Sequence, residues 1–509
     1  MHTSLPRVLE IDYVHALKRL EAHLDGRTLH KWCLFAGTGI SAHLAELAST
    51  YLADTYNIAL PQATEVLCEK NIPKQTFGMA AHPSVPVISG DAHELSKSSI
   101  DVNQKTNQKH HILPPCDILD GGVPCISRTS LSMHASKNVN CCQKEEGETG
   151  QGYVAWRGAI GTHKPAVAMG ECVLGLLQYD LTYSKINDAE HIKNELNLKS
   201  YWAHYASPDA EDYGSWIARI RLWWGAIRGL IGKDEDITAF FMSLVNGFKV
   251  KPVKFPSGRF ITNNRKMRRA EALSLGLPIW DEFGKRVPKR QKDSLDWKLD
   301  HLTLWTANGM SWPFDVDAFD STSYINFSNC LPREAEALCV LDKLFAPMCD
   351  LEFLDVNPTL ARVLAGVIDE NSRPNEGHTP WKSKSPTQVG SGKLVCRYRL
   401  DPDEALEHAP HKFGIRVVEA YECMRMIGWA DEWYTIFPST FCWDLDRLEG
   451  LVNMAGNAYT AFHFLPWYLA LLATWGKFLP DSSAPPPPAS APADAYDAEM
   501  WDDIPDSPA

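Results

Sequence analysis

The stretch CDILDGGVPCISRTS, residues 116–130, places a proline and a thiol directly after a short apolar strand. We expect Gly121 and Gly122 to turn the chain, so that Pro124 and Cys125 lie on the loop that follows. A thiol in such a loop is either an ordinary packed cysteine or a nucleophile, because cysteine side chains form covalent intermediates readily. Cys125 is therefore the first candidate for chemistry in this chain.

A second stretch, CLFAGTGISAHL at residues 33–44, has the composition of a ligand-binding loop. It places Gly37 and Gly39 between an apolar strand and a helix, where glycine lets the backbone approach a ligand closely. Ala42 stands where a dinucleotide-binding motif would have its third glycine. The loop therefore suits a nucleoside-type cofactor without a pyrophosphate, although glycine turns after strands also occur for purely structural reasons.

Two acidic residues follow the next two expected strands. Glu69 lies in VLCEK and Asp91 ends VISGD. A carboxylate after the second strand can accept hydrogen bonds from ribose hydroxyls, and one after the third can reach an adenine amino group. The simpler interpretation of each, taken alone, is a surface acid.

The elements that must position these residues alternate along the first half of the chain. Apolar stretches such as WCLFAG, VPVISGD and CDILDGG are separated by helical patterns, which indicates βαβ units and a mostly parallel sheet. We therefore expect residues 1–29 to form an N-terminal helix and residues 30–231 a catalytic α/β domain. Residues 232–411 lose this rhythm and suggest a smaller, irregular lobe.

Composition excludes several classes of protein. The chain has 509 residues, 45% of them hydrophobic and 22% charged, which is typical of a globular protein with more than one lobe. Its thirteen cysteines are too few for a disulfide scaffold, and the amino terminus lacks the pattern of a secretory signal. The longest apolar run, Phe462–Trp475, is too short for a membrane span and predicts a buried helix.

Charge is distributed unevenly around a net value of −13. Residues 249–292 carry thirteen Lys and Arg against three acids, which indicates either a solvated surface or a phosphate-facing patch. The candidates for phosphate contacts are Lys249, Lys251, Lys254, Arg259, Arg265, Lys266, Arg268 and Arg269.

Residues 480–509 contain no Lys or Arg and are rich in Pro, Ala and Asp, so we expect a disordered tail. Its DAEMWDDI is a candidate for docking a protein partner, although a solvating tail is the simpler interpretation.

Six stretches, in order, resemble the motifs of the cytosine-C5 DNA methyltransferase family. LFAGTG and DILDGGVPC resemble its first and fourth motifs, and GECV in KPAVAMGECVLGLL resembles its E-N-V motif. IARIR resembles Q-x-R-x-R, AYECMRMIGWADEWY the ninth motif, and GNA in NMAGNAYTAFHFLP the tenth. The resemblance covers residues 30–231 and 412–472, and it implies that the region between them recognises the target. Residues 412–479 would close the catalytic domain.

The resemblance implies a role for each candidate residue. Cys125 would attack C6 of cytosine, Glu171 would hydrogen-bond N3 and the exocyclic amine, Arg219 would hold O2, and Arg221 would orient Glu171 or contact a phosphate. Phe35 would stack on adenine, and Asn457 would meet the methionine end of S-adenosylmethionine. The full set of implied cofactor contacts is Phe35, Ala36, Gly37, Gly39, Ile40, Glu69, Asp91, Pro124, Asn457 and Ala458.

Four positions depart from the family pattern. Ile126 replaces the Gln after the catalytic Cys, and Arg128 replaces an aromatic residue. Cys172 replaces the Asn of E-N-V, and Ile217 replaces the Gln of Q-x-R-x-R. In the family, the replaced Gln and Asn side chains brace the loop and the flipped base. We therefore expect the chemistry to survive in this chain, with altered loop geometry or speed.

The sequence thus predicts an α/β, class-I methyltransferase Rossmann-like fold, with a mostly parallel sheet, helices on both faces and a smaller target-recognition lobe. The predicted activity is methyl transfer from S-adenosylmethionine to cytosine C5 in double-stranded DNA, which must flip the base out of the helix. The alternatives are a tRNA cytosine methyltransferase and a catalytically silent DNA-binding protein. We expect a monomer without a metal site or membrane association, located in the nucleus, or in the cytoplasm if the source is bacterial or phage.

Overall fold

Seven strands form the central sheet, in the order β3-β2-β1-β6-β7-β9-β8. The computed structural model describes residues 7–125, 138–215, 217, 219–250, 265–279, 324–325, 351–354, 395–400, 402–409, 411, 413–437, 441, 443 and 445–480. The strands are β1 (Leu29–Leu34), β2 (Gln62–Cys68), β3 (Val87–Ser89), β6 (Ile118–Gly122), β7 (Val167–Cys172), β8 (Tyr201–Ala206) and β9 (Leu222–Arg228). A separate hairpin pairs β4 (Ile100–Asn103) with β5 (Gln108–Ile112).

The sheet is mostly parallel. Strands β3, β2, β1, β6 and β7 run in the same direction, and β9 pairs antiparallel with both β7 and β8. This arrangement confirms the predicted class-I methyltransferase fold. The chain builds outwards from β1 through β2 to β3 and then crosses to β6 on the other side of β1. Ligands of open α/β sheets bind at the carboxyl ends of the strands beside such a switch point.

Helices cover both faces of the sheet. One face packs against α1 (Arg7–Leu24), α2 (Ile40–Tyr56), α7 (Asp234–Gly247) and α12 (Ala461–Lys477). The other packs against α5 (Gly147–His163), with α4 (Ala92–Leu95) against it, and α6 (Asp188–Leu198). The helix α3 (Ile72–Ala81) connects β2 to β3. Both faces of the strands are therefore buried, which explains their nearly continuous apolar composition.

The carboxyl-terminal part of the chain returns to the catalytic domain. The apolar run that the sequence assigned to a buried helix lies in α12, which packs against α1, α2, α7 and β9. Among the described residues, no helix is both long enough and apolar enough to cross a membrane.

The remaining elements lie between residues 265 and 457. They are α8 (Arg265–Ser274), β10 (Tyr324–Ile325), β11 (Leu351–Leu354), β12 (Val395–Arg399), α9 (Pro402–Glu407), β13 (Phe413–Val417), α10 (Ala420–Ile427) and α11 (Leu445–Asn457). A second sheet has the order β10-β13-β12-β11. The domain boundaries at residues 231 and 411 stay predictions, and the tail from residue 481 onward lies outside the described residues.

The packing of α1 on α12 gives a test of this architecture. A Cβ on Gly476 would overlap the carbonyl oxygen of Ala16 in α1, so we expect Gly476→Ala to destabilise the fold. Such overpacking lowers the free energy of unfolding by about 1–3 kcal/mol, measurable by urea denaturation.

Gly450→Ala in α11 is the matched control. Among the described residues, a Cβ on Gly450 would approach only Met454 Cε, at 3.8 Å. Alanine should therefore stabilise that helix, by about 1 kcal/mol at most. An unfolding free energy of Gly476→Ala equal to that of the wild type would contradict the contact between α1 and α12.

Candidate active site

The candidate site lies where β1, β6 and β7 end at the carboxyl edge of the sheet. Leu34 pairs with Gly121, and Gly122 pairs with Glu171. The loop after β1, the loop after β6 and the last residues of β7 therefore start side by side. This register brings together three segments that are far apart in sequence.

The loop after β1 is shaped by three left-handed backbone conformations. Phe35, Gly37 and Gly39 have φ values of 54°, 57° and 71°. Gly39 is required for a second reason, since a Cβ there would lie 2.5 Å from His82 Nε2. The Ala36 N–H donates to Cys68 O at 2.8 Å, which ties the loop to the end of β2, and α2 begins at Ile40. The predicted cofactor residues Phe35, Ala36, Gly37, Gly39 and Ile40 thus lie in one tight turn between β1 and α2.

The two predicted carboxylates lie at the same edge. Glu69 follows β2, and its Oε2 accepts the Gly37 N–H at 3.0 Å, while its Oε1 accepts the Asn71 N–H at 2.9 Å. Asp91 lies two residues after β3 and caps α4 by accepting the His93 N–H at 2.9 Å. Glu69 therefore holds the glycine loop directly, whereas Asp91 is held by its own helix.

The glycines before Cys125 do not form the turn that the sequence suggested. Gly121 and Gly122 are the last residues of β6. A Cβ on Gly121 would lie 3.1 Å from Leu34 O and 3.3 Å from Trp156 Cδ1, so close packing between strand and helix explains this glycine. The chain leaves the sheet at Val123, and Pro124 packs against α5, where a Cβ on Gly152 would lie 2.6 Å from Pro124 Cδ.

Cys125 is half-buried and faces a group of charged side chains. Burial raises the pKa of its thiol, and the nearby Glu171 raises it further, while Arg221 and Arg219 lower it. The net shift is upward, so the thiol is protonated near neutral pH. The two arginines are the groups that would stabilise a thiolate here.

Glu171 is buried, with 7% of its surface exposed, and its Oε1 lies 3.0 Å from Arg221 Nε. Burial raises the pKa of this carboxyl, and Arg221 and Arg219 oppose the rise. The structure thus places Arg221 where the sequence expected it, against Glu171. A carboxyl with a raised pKa holds a proton closer to neutral pH and can donate it to a ring nitrogen.

Arg219 is buried and binds the segment that resembles the tenth motif. Its Nη2 donates to Gly456 O at 3.0 Å and to Ala458 O at 2.6 Å. Burial and the neighbouring Arg221 lower its pKa to about 9, although Glu171 and Cys125 raise it. Both arginines precede β9, which begins at Leu222. Arg219 therefore joins two segments more than two hundred residues apart.

The tenth-motif residues themselves end α11. Asn457 is exposed, and its Nδ2 donates to Asn453 Oδ1 at 3.2 Å. The Ala458 carbonyl accepts from Arg219. Of the four departures from the family pattern, Cys172 and Ile217 are buried in the core, while Ile126 and Arg128 lie outside the described residues. Apolar packing thus occupies two positions where the family has polar groups.

Sequence reasoning missed a set of polar residues beneath this site. Lys31 and Asp120 form a buried ion pair, with Nζ 2.6 Å from Oδ2, and Tyr459 lies against Gly122. The available signal was an unmatched charge in each of two apolar strands, HKWCL and ILDGG. Charges in fully buried strands are rarely tolerated unless they pair.

Only some of the residues that were predicted to contact phosphates lie in the part of the chain that the structure describes. Lys266 and Arg269 are exposed on α8, which also contains Arg265, and Lys249 Nζ lies 3.0 Å from Asp212 Oδ2. Arg268 is a correction: only 3% of it is exposed because it lies on the inner face of α8, so it does not present its charge at the surface. Lys251, Lys254 and Arg259 lie outside the described residues.

A cluster of possible metal ligands lies apart from this site. The donor atoms of Cys141, Cys142 and Asp188 lie within 4.8 Å of one another, and all three residues are buried. Cys141 Sγ donates to Asp188 Oδ2 at 3.7 Å, and the Gln143 N–H donates to Asp188 Oδ1 at 3.2 Å. These hydrogen bonds give Asp188 a structural role in fixing the turn before α5.

Comparisons with known proteins give the following similarities. No protein-family model matches the chain, and no curated protein sequence matches it. The structure is similar to the Dnmt2 methyltransferase of S. pombe and to the methyltransferase EhMeth of Entamoeba histolytica, each 12% identical, covering 88% of this chain and 98% of the other, with a TM-score of 0.41. A putative DNA modification methyltransferase encoded within an E. coli prophage is 14% identical, with the same coverage and a TM-score of 0.39. All three proteins are methyltransferases by name, and the motifs of this sequence resemble those of a methyltransferase family. The roles of the site residues are inferred from the geometry of this site alone.

The electrostatics of Cys125 can be tested without any substrate. Arg221→Met removes a cation that lowers the pKa of both Cys125 and Glu171, so we expect alkylation of Cys125 by iodoacetamide to require higher pH than in the wild type. Peptide mass spectrometry across a pH series would follow the rate at Cys125 alone. Arg228→Met, an exposed cation at the far end of β9, is the control and should leave the midpoint unchanged. An unchanged midpoint in Arg221→Met would contradict the proximity of Arg221 to the thiol.

Proposed function

We propose that this protein transfers a methyl group from S-adenosylmethionine to C5 of cytosine in DNA. The observation that carries the proposal is the convergence of Cys125, Glu171, Arg219 and Arg221 beside a glycine loop at the switch point of the sheet. C5 of cytosine is a poor nucleophile, so its methylation needs transient covalent activation by a nucleophile. A thiol facing a buried carboxyl and two guanidinium groups supplies the required types of group.

The loop after β1 fits a nucleoside cofactor. Among the described residues, the atom nearest to a Cβ built on Gly37 is Phe35 O, at 4.0 Å, so the space in front of this glycine is open. Phe35 offers a half-buried ring, and Glu69 and Asp91 follow the two neighbouring strands. We assign the following residues to cofactor binding: Phe35, Ala36, Gly37, Gly39, Ile40, Glu69, Asp91, Pro124, Asn457 and Ala458. When bound, S-adenosylmethionine supplies the electrophilic methyl group that C5 accepts.

The residues of this chain would act on the base in a defined order. The Cys125 thiol gives its proton to water, and its sulfur forms a bond to C6 as the C5–C6 double bond opens, while Glu171 donates a hydrogen bond to N3; this places electron density at C5. After C5 has accepted a methyl group, water takes the C5 proton, the C5–C6 double bond forms again, and sulfur leaves C6 as the thiolate. Because burial raises the pKa of Cys125, this order depends on Arg221 and Arg219, which lower that pKa.

Double-stranded DNA is the proposed partner, bound in part by α8. Flipping a cytosine out of the duplex costs a few kcal/mol, which contacts to the backbone help to offset. Lys266 and Arg269 are exposed on one helix and are placed to contact phosphates. The proposal includes a nuclear location, where a DNA substrate of a eukaryotic protein would lie.

The covalent mechanism is tested with a duplex that contains 5-fluorocytosine. We expect a denaturation-resistant adduct that requires both S-adenosylmethionine and Cys125, because fluorine at C5 prevents the final elimination. Cys125→Ala should abolish the adduct and methyl transfer, while Cys116→Ala, which alters another half-buried thiol, should retain both. Normal methylation by Cys125→Ala would exclude the mechanism.

The same assay separates the substrates. Incorporation of labelled methyl groups is compared between duplex DNA and tRNA under identical conditions. Transfer to tRNA alone would replace the DNA proposal by an RNA cytosine methyltransferase. Cofactor binding without transfer to either would indicate a catalytically silent protein.

The contribution of α8 is tested through the salt dependence of DNA binding. Replacing Lys266 and Arg269 by Ala should weaken duplex affinity. It should also make the negative slope of log K against log salt less steep by about two, since each phosphate contact contributes about 0.9 to that slope. Lys97→Ala with Arg228→Ala removes two exposed cations elsewhere and should leave the slope unchanged. An unaltered slope in the α8 variant would remove this helix from the DNA interface.

A further inference from the structure

A buried polar cluster lies directly beneath the candidate active site. It consists of Lys31, Cys33, Ser41, Asp120 and Tyr459, and we refer to it as the β1–β6 cluster. Lys31 is in β1 and Asp120 in β6, the two strands that flank the switch point, and their side chains are 0% and 2% exposed. We propose that this cluster is a positioning device that fixes the glycine loop relative to the end of β6 and thereby sets the affinity for the cofactor.

The ion pair extends to the first turn of α2. Ser41 is the second residue of that helix, which begins directly after the glycine loop. Its hydroxyl donates to Asp120 Oδ1 at 3.2 Å and lies 3.0 Å from Cys33 Sγ. Lys31 Nζ in turn donates to Cys33 Sγ at 3.0 Å. The helix that starts at the glycine loop is therefore attached, through one hydroxyl, to the strand that leads to Cys125.

Tyr459 continues the cluster to the catalytic carboxyl. Its hydroxyl is enclosed near Ser41, Asp120 and Cys33, and its pKa is raised by burial, whereas the residue as a whole is half-buried. A Cβ on Gly122 would lie 3.7 Å from this ring and 3.6 Å from Glu171 Oε2, so Tyr459 and Glu171 border the same space at the end of β6. The residues just before Tyr459 are held by Arg219, whose guanidinium binds the carbonyls of Gly456 and Ala458. The cluster therefore reaches from the cofactor loop to the wall of the site.

The charges of the cluster are balanced and fixed. Burial lowers the pKa of Lys31, but Asp120 and Cys33 raise it and prevail, so the ammonium group stays charged. Burial and the Asp120 charge raise the pKa of Cys33 to about 12, so its thiol stays neutral. The Lys31 ammonium also lies 5.4 Å from the Phe464 ring centroid in α12. The buried ammonium group of Lys31 and the buried carboxylate of Asp120 therefore fix the directions of the hydrogen bonds that they form with Cys33 and Ser41.

Stability alone does not explain such a pair. Apolar side chains of similar size often give an equal or more stable core than a buried ion pair, because two charges lose their hydration. What the pair provides is orientation: the carboxylate of Asp120 accepts from Ser41 while the ammonium group of Lys31 fixes that carboxylate. At a point where two functional loops leave adjacent strands, a fixed orientation of this kind determines the distance between them.

Two conservative variants test the proposal, which rests on the proposed cofactor. Ser41→Ala and Tyr459→Phe remove one hydroxyl each and keep the ion pair and the ring. We expect each to weaken binding of S-adenosylhomocysteine, measured by calorimetry, on the order of tenfold for Ser41→Ala, whose hydroxyl donates to a charged group. The melting temperature should change little. Unchanged affinity in both variants would overturn the proposal.

A matched pair of double variants separates positioning from stability. Lys31→Met with Asp120→Leu removes the buried ion pair without leaving a lone charge, and it should remain folded with weakened affinity. Arg416→Met with Glu422→Leu removes another buried ion pair, 2.6 Å long and remote from the β1–β6 cluster, and should leave the affinity of the folded protein unchanged. Equal affinities of the two double variants would show that the β1–β6 cluster is only a structural element.

A readout without cofactor distinguishes failure of this proposal from failure of the proposed function. Hydrogen exchange of the peptide that covers residues 35–41 should be at least a few-fold faster in Ser41→Ala than in the wild type. A wild-type protein that binds no S-adenosylhomocysteine would overturn the proposed function, while faster exchange of the loop would still support the positioning role. Unchanged exchange in Ser41→Ala would overturn that role whether or not the cofactor binds.

Discussion

The parallel register of β1, β6 and β7 is the constraint on which the rest of the structure depends. Because Leu34 pairs with Gly121 and Gly122 pairs with Glu171, the glycine loop, the Cys125 loop and the Glu171 carboxyl lie at one edge of the sheet. A shift of one residue in either pairing would turn each of these side chains to the opposite face. Gly121, at the end of β6, permits this pairing because a side chain at its position would press against Leu34 in β1 and Trp156 in α5.

Burial gives the site its chemical character. It raises the pKa of both Cys125 and Glu171, and the two arginines next to them limit the rise. Burial therefore disfavours the charged forms of both groups, whereas a negative charge that develops at the site would meet guanidinium groups already in place. The same low-dielectric surroundings keep the charges of Lys31 and Asp120 together beneath the loop.

The end of the chain completes a site that the first half begins. Arg219 binds the carbonyls of residues 456 and 458, and Tyr459 contributes a wall beside Gly122. The helix α12 then packs against α1, α2 and α7, which fixes this segment to the core. The anchoring of both segments on the same sheet therefore keeps Arg219 and Tyr459 at one site.

The sequence by itself determined the class of sheet and the buried helix that contains residues 462–475, and its motifs predicted which residues would meet at the edge of the sheet. Alternating apolar strands and helices specify a mostly parallel sheet, and parallel strands bring the ends of successive motifs together. Tertiary structure alone decided other contacts: Arg219 binds the carbonyls of the segment before Tyr459, and Arg268 is buried on α8. It also brought together the residues of the β1–β6 cluster, which none of the sequence motifs predicts. The physical reason is that periodicity along a chain encodes which face is buried, whereas a hydrogen bond or ion pair depends on which distant strand lies beside it.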